Sequence, residues 1–202
     1  MKITAIRVAL SAAVLSAALS GCAGVSADVQ ASNGGGDWQG ARTYTLARTP
    51  LQDGSDNHTQ YEALVRAELD RYGFADTSGQ SAHYLLSIAY DTRLATIGVE
   101  TGDCISENCG GTAHASFSWF GRRSYQHALT LRFFDKANGR ELYKVSATSE
   151  DHDAEPLHAI PYLVKSALAR FPFDGHPDWR VKLSTDEAGG MPRVISVKPL
   201  QP

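Results

Sequence analysis

Chemistry in this 202-residue chain is concentrated in three cysteines, at 22, 104 and 109, and in a run of histidines and acids at 150–158. Leu19-Ser20-Gly21-Cys22 places one apolar and two small residues directly before a thiol. That pattern resembles a bacterial lipobox. Where one operates, the chain is cut before the cysteine, the sulfur takes a diacylglycerol, and the new amine takes an acyl chain such as palmitate. The motif gains specificity from what precedes it. Met1, Lys2 and Arg7 form a positive start, and Val8 to Leu19 form an apolar run. A bilayer crossing needs about 20 apolar residues, so this run has the length of a signal peptide and not of a span. The other use of Cys22 is as a spare thiol left by an ordinary signal-peptide cut nearby. One acyl chain anchors marginally and several anchor stably, so a lipidated Cys22 stays in its leaflet. Ala23, not Asp, follows it. In bacterial lipoproteins generally, Asp there retains the protein in the inner membrane. The expected location is therefore the outer membrane, with the folded part facing the periplasm.

An exported chain meets an oxidising compartment. With Cys22 used by lipid, Cys104 and Cys109 are expected to form a disulfide that orders a short loop. Their spacing does not match the Cys-x-x-Cys of a redox pair. Together with His114 they make an incomplete structural zinc set. Glu150, Asp151, His152, Asp153, Glu155 and His158 mix carboxylates with imidazoles, which suits a divalent metal. The same composition suits an exposed turn before a helix, where acids favour the positive end of the helix dipole, and that reading is preferred. No His-Glu-x-x-His, Gly-x-Ser-x-Gly, Walker or Gly-x-Gly-x-x-Gly motif is present. Phe117, Trp119, Phe120, Arg122, Arg123 and Tyr125 bring aromatics and arginines together, the types enriched where partners dock, and are the candidate partner surface, with ordinary strand and loop packing the preferred reading. No catalytic residue, metal or cofactor is assigned.

The elements that must position these groups follow from composition and period. Hydrophobic residues make up 43% and charged residues 20%, ordinary for a folded protein. Net charge is -3, and loss of Lys2 and Arg7 with the signal peptide makes it more acidic. That excludes a nucleic-acid binder and electrostatic docking on anionic lipid. Residues 22–40 read as the lipidated cysteine and a Gly/Ser-rich flexible tether without period. In that tether Trp38 either packs on the domain, the favoured use, or touches the membrane interface. Residues 41–175 read as the folded domain. Arg42 to Ala47 alternates as a strand. Tyr61, Leu64, Val65, Leu69 and Tyr72 form a helical stripe, with capping-box spacing at Asn57/Gln60 or Thr59/Glu62 and Gly73 as its stop. Tyr84 to Tyr90, Leu129 to Phe133 and Tyr143 to Ala147 alternate as strands, the last two joined at Asn138-Gly139 as a hairpin. His114 to Trp119 is a further strand candidate. Leu157, Ile160, Val164, Leu168 and Phe171 mark a second helix, starting at Pro156 or Pro161 and closed by Pro172. Residues 176–202 are a less regular tail in which 193–199 forms an edge strand. The order is β-α-β-β-β-α, an α+β two-layer sandwich with a mostly antiparallel sheet.

These residues carry a resemblance. Tyr44 in the first strand, Leu69-x-x-Tyr72-Gly73-Phe74 at the helix end and the Ala82–Tyr90 strand belong to it. So do Asp135…Asn138-Gly139-Arg140-Glu141-Leu142-Tyr143 and Ala169-Arg170-Phe171-Pro172. With the lipobox, the chain resembles the bacterial lipoprotein family called domain of unknown function 4136, over about residues 42–172. That family often carries Trp where Tyr143 stands, and this chain adds the Cys-bearing loop. The resemblance implies an outer-membrane lipoprotein facing the periplasm and supplies no site residues. The expected function is a non-enzymatic binding or structural module of the envelope. Its partners are the membrane, through Cys22, and an envelope protein or cell-wall component. The alternative is a metal-dependent or Ser/His hydrolase acting on an envelope substrate through His152 or His114.

Overall fold

Alternation at period two lets a strand bury one side and wet the other. The computed structural model describes residues 24–34, 38–54, 57–77, 81–95, 123–185 and 191–200. Its elements are β1 (Gly24–Asn33), β2 (Thr43–Ala47), α1 (Pro50–Asp53), α2 (His58–Asp70), β3 (Ala75–Asp76) and β4 (Tyr84–Leu94). They continue with β5 (Tyr125–Asp135), β6 (Glu141–Asp151), α3 (Pro156–Ala167), β7 (Asp178–Ser184) and β8 (Arg193–Pro199). The eight strands form one mixed sheet in the order β3-β2-β4-β5-β6-β1-β7-β8. β2 runs parallel to β3 and β4, and the remaining neighbours are antiparallel. The expected order survives as β2-α2-β4-β5-β6-α3, with α1 and β3 inserted and β1, β7 and β8 added.

Inward positions follow the alternation. Leu86 and Ile88 of β4 face Phe133 and Leu131 of β5, and Leu131 and Leu129 face Val145 and Ala147 of β6. α3 packs over β5, β6 and β1, and α2 packs beside α3. The opposite positions of the sheet are polar, as in the Thr130–Ser146 hydroxyl pair at 2.9 Å and the Asp28–Arg180 pair at 2.7 Å. A sheet that buries one face and wets the other has this pattern.

The expected tether is the main correction. Residues 24–33 are not a coil. Residues 28–33 pair with β6 on one side and residues 24–30 with β7 on the other. Val25, Ala27, Val29 and Ala31 alternate with polar residues, and Ala27 and Val29 are buried. Alanine is a weak apolar signal in a Gly/Ser-rich stretch, but between two strands a small residue is what lets α3 approach. Trp38 is docked rather than loose. Its ring meets Phe74, Tyr84, Phe133 and Phe171 edge-on, with centroids 5.2–5.7 Å apart. The folded unit therefore begins before residue 41 and continues past 175, and residues 193–199 form the edge strand expected of them.

Smaller corrections concern the helices. Asn57 precedes α2 with helical backbone angles, and its side chain makes no capping bond. The capping box lies one element earlier. Gln52 N–H donates to the Thr49 hydroxyl at 3.3 Å, and Thr49 N–H donates to Gln52 Oε1 at 2.9 Å. The Gln52 amide also donates to the Ile88 carbonyl at 2.6 Å, tying α1 to β4. α3 starts at Pro156 and runs through Pro161 to Ala167, short of the expected Arg170. Gly73 and Gly139 stand at φ +75° and +71°, the left-handed turns that their places after α2 and in the β5–β6 hairpin require.

Candidate functional site

The site builds from parity on one strand. His127 shares the inward face of β5 with Leu129, Leu131 and Phe133, and it is fully buried. A buried imidazole needs partners on both nitrogens. Its Nδ1 lies 2.9 Å from the Thr92 hydroxyl and 3.3 Å from the Tyr90 hydroxyl, both supplied by β4. Its Nε2 lies 3.0 Å from the Asp153 carbonyl and 3.4 Å from Asp151 Oδ1.

Asp151 is the last residue of β6, and the chain turns there into α3. Two local bonds shape that turn. Asp151 Oδ1 accepts the Asp153 N–H at 2.8 Å, and Asp153 Oδ1 accepts the Glu155 N–H at 2.9 Å. Pro156 at the first helical position then starts α3, and its carbonyl accepts from the Tyr90 hydroxyl at 2.5 Å. One turn brings His158 back over Asp151, with Nε2 2.7 Å from Oδ2 and Nδ1 against the Glu155 carbonyl. The His127 and His158 rings stand edge to face, 4.9 Å between centroids.

Charge follows from these contacts. Burial works against a charged His158, but the bonds to Asp151 and to the Glu155 carbonyl outweigh it and hold its pKa above the usual value. Burial likewise opposes ionisation of Asp151. The His158 bond and the Asp153 N–H overcome it and hold the carboxyl below its usual range. Burial raises the Tyr90 phenol.

Beside this cluster a cleft of ≈ 370 Å³ opens between α1, α2, β4 and the start of α3, lined by Leu51, Gln52, Tyr61, Tyr90, Thr92 and Pro156 among others. Tyr90 and Thr92 thus serve both the cleft wall and the support of His127.

Of the expected site residues, Cys22, Cys104, Cys109, Phe117, Trp119, Phe120 and Arg122 lie outside the described residues, as does His114. Arg123 is exposed, and its carbonyl accepts from His152 Nδ1 at 3.0 Å. His152 is therefore turned away from the cluster. Tyr125 is half-buried opposite Leu94 and Asp151. Residues 152–155 are the exposed turn before a helix that composition favours, and within the same run Asp151 and His158 also close on a histidine 24 residues upstream of Asp151. The signal that would have found His127 is its parity with Leu129, Leu131 and Phe133.

The family model described as "Domain of unknown function (DUF4136)" matches residues 25–173 of this chain. No curated protein matches. Among solved structures, a PDZ domain protein from Parabacteroides distasonis is similar at 12% identity and TM-score 0.51, over 80% of this chain and 40% of that one. The chain thus spans less than half of that protein's length. The PelC dodecamer from Paraburkholderia phytofirmans aligns at 16% identity and TM-score 0.42, over 71% of this chain and 95% of that one. Identities this low speak to fold alone.

Proposed function

This chain belongs to the DUF4136 family, and on that premise we propose that it is an outer-membrane lipoprotein, anchored through Cys22, whose α+β domain faces the periplasm as a non-enzymatic binding or structural module. The finer architecture within that reading is two layers, the sheet below and α2 with α3 above. The observation that carries the proposal is the junction between motif and fold. β1 begins at Gly24, two residues after the cysteine of Leu19-Ser20-Gly21-Cys22, and it is an interior strand. The proposed signal peptide and cleavage site thus end immediately before the first described strand. No helix of the described residues is long and apolar enough to cross a membrane, so the acyl chains are the proposed means of attachment.

The same junction sets the geometry. Gly24 pairs with Ser184, and the end of the sheet that carries it also carries Leu94, Tyr125 and Asp151. A lipid on Cys22 holds that end against the leaflet, with Arg123 and Tyr125 beside it. The module reading, rather than the hydrolase through His152, is supported by the His152 ring, whose Nδ1 is committed to the Arg123 carbonyl.

The test is metabolic labelling with radioactive palmitate and membrane fractionation of the wild type and Cys22→Ala. The expected result is label and membrane partition in the wild type and neither in the variant. A Cys22→Ala protein that still labels and still sediments with membranes ends the proposal. A photocrosslinker placed at Arg123 in the anchored protein is expected to capture an envelope protein or cell-wall fragment.

A further inference from the structure

We propose that His127, Asp151 and His158 form a binding site for one divalent transition-metal ion of the zinc class. This goes beyond the lipoprotein reading and does not depend on it. The three donors come from three elements: the start of β5, the end of β6 and the first turn of α3. One ligand atom from each lies within 4.8 Å of the others. An ion bonded at about 2.0–2.2 Å to imidazole nitrogen and carboxylate oxygen holds neighbouring donors roughly 3.2–3.5 Å apart at tetrahedral angles. His127 Nε2 and Asp151 Oδ1 already stand at 3.4 Å. His158 Nε2 stands 2.7 Å from the other carboxylate oxygen, Oδ2, and needs to open by about half an ångström for both rings to share one ion. Asp151 and His158 are each about one-third exposed, so water can reach and complete the shell.

The outer partners are arranged as metal-ligating histidines require. Such a histidine gives one nitrogen to the ion and donates the N–H of the other to a carbonyl, carboxylate or hydroxyl that fixes the ring. His158 Nδ1 faces the Glu155 carbonyl, so that nitrogen holds the proton and Nε2 is the ligand. For His127 the fixing partner is a hydroxyl relay. Nδ1 lies 2.9 Å from Thr92 Oγ1, Thr92 Oγ1 lies 3.2 Å from the Tyr90 oxygen, and Tyr90 donates to the Pro156 carbonyl at 2.5 Å. With an ion on Nε2, the proton sits on Nδ1, which donates to Thr92, which donates to Tyr90, which donates to Pro156. Every donor keeps an acceptor. Without the ion, the Thr92 hydroxyl turns to donate to Nδ1, and Nε2–H donates to the Asp153 carbonyl at 3.0 Å. The same atoms serve both tautomers, which a ring buried only for packing has no need of. Binding exchanges Nε2 protons for the ion and releases them to solvent, with no change of oxidation state.

The experiment titrates the purified, reduced full chain with cobalt(II), followed by absorbance, and then displaces cobalt with zinc. The expected result is one equivalent of cobalt with visible d–d bands and no thiolate-to-cobalt charge-transfer band. His158→Gln and Asp151→Asn should each weaken binding by at least about a hundred-fold. A Cys104→Ser/Cys109→Ser variant should bind as the wild type does. His127 is buried and its removal can unfold the chain, so the two more exposed ligands carry the test, with circular dichroism confirming that the variants are folded. Absence of saturable binding below millimolar metal overturns the site. So does a thiolate charge-transfer band, or an unchanged affinity in folded His158→Gln.

Discussion

The phenol oxygen of Tyr143 on β6 accepts the backbone N–H of Phe173 at 3.0 Å, and both residues are buried. The bond fastens the segment after α3 to the strand beneath it. Burial pushes the Tyr143 phenol well above its ordinary range, with the Phe173 N–H partly offsetting that. Tyr143→Phe leaves a buried N–H without an acceptor, which costs about 1–3 kcal/mol. A lower urea midpoint at unchanged slope is the expected outcome. An unchanged midpoint means that another acceptor takes the Phe173 N–H.

Lys165 of α3 places its ammonium 2.9 Å from both carboxylate oxygens of Glu68 on α2. Glu68 is buried, and the pair joins the two helices where they cross the sheet. Removing Lys165 leaves the buried Glu68 only the longer contact to Arg71 at 3.7 Å, so Lys165→Met should destabilise by about 3 kcal/mol. Glu68→Leu together with Lys165→Met should recover most of that loss. A double variant no more stable than Lys165→Met would mean that the cost came from lost lysine packing.

Glu62 of α2 is buried beneath Arg48 and Arg66, with N···O distances of 2.6 Å and 3.1 Å. Burial disfavours its charge, but the Arg48 bond and the two guanidinium charges outweigh burial and hold its carboxyl below the usual range. The stability this gives is full above the unfolded carboxyl pKa of about 4.3 and is lost as pH falls through the lower folded value. Both arginines are about one-third exposed, which limits the effect of Glu62→Gln to about 1–2 kcal/mol at neutral pH. Chemical denaturation at pH 7 and pH 3 should show the gap between wild type and Glu62→Gln closing in acid. A gap of constant size would contradict the assignment.

Val29 is fully buried in the middle of β1, opposite Ala147 and Trp179. Val29→Asp buries a carboxylate with no partner, a loss expected to exceed about 4 kcal/mol. The domain should fail to show a cooperative thermal transition. Were 24–33 a tether, the same substitution would be silent.

The parts of this fold that were legible in sequence are those with bulky apolar residues at a clear period. Leu129, Leu131 and Phe133 declared β5, Val65 and Leu69 declared α2, and Asn138-Gly139 declared the hairpin. β1 was hidden because its inward residues are valine and alanine set among Ser, Asp and Gln. Their alternation is regular, but their hydrophobic contrast is small. β7 was hidden for a different reason: Trp179, Val181 and Leu183 alternate with Arg180 and Lys182 in a stretch read as tail. Two of the three members of the His127 cluster were legible, and His127 itself was not. Asp151 and His158 are near each other in sequence, but nothing local says that the β6–α3 turn closes over an imidazole on the neighbouring strand. That proximity comes from register, His127 opposite Ser149, two residues from Asp151.

β1 is the earliest strand of the chain, yet its partners are late ones. Asp28 pairs with Thr148 and Arg180, more than a hundred residues downstream. Such long-range pairing makes for slow folding, because the intervening chain must be ordered before the contact is made. On the export route proposed above, the chain crosses the membrane from its beginning and delivers β1 first and its neighbours last. Until β6 and then β7 have followed, the edges of that strand stand open to any other extended segment nearby. The interval between emergence and completion is therefore when this protein is most exposed to mispairing and has most need of a holding chaperone.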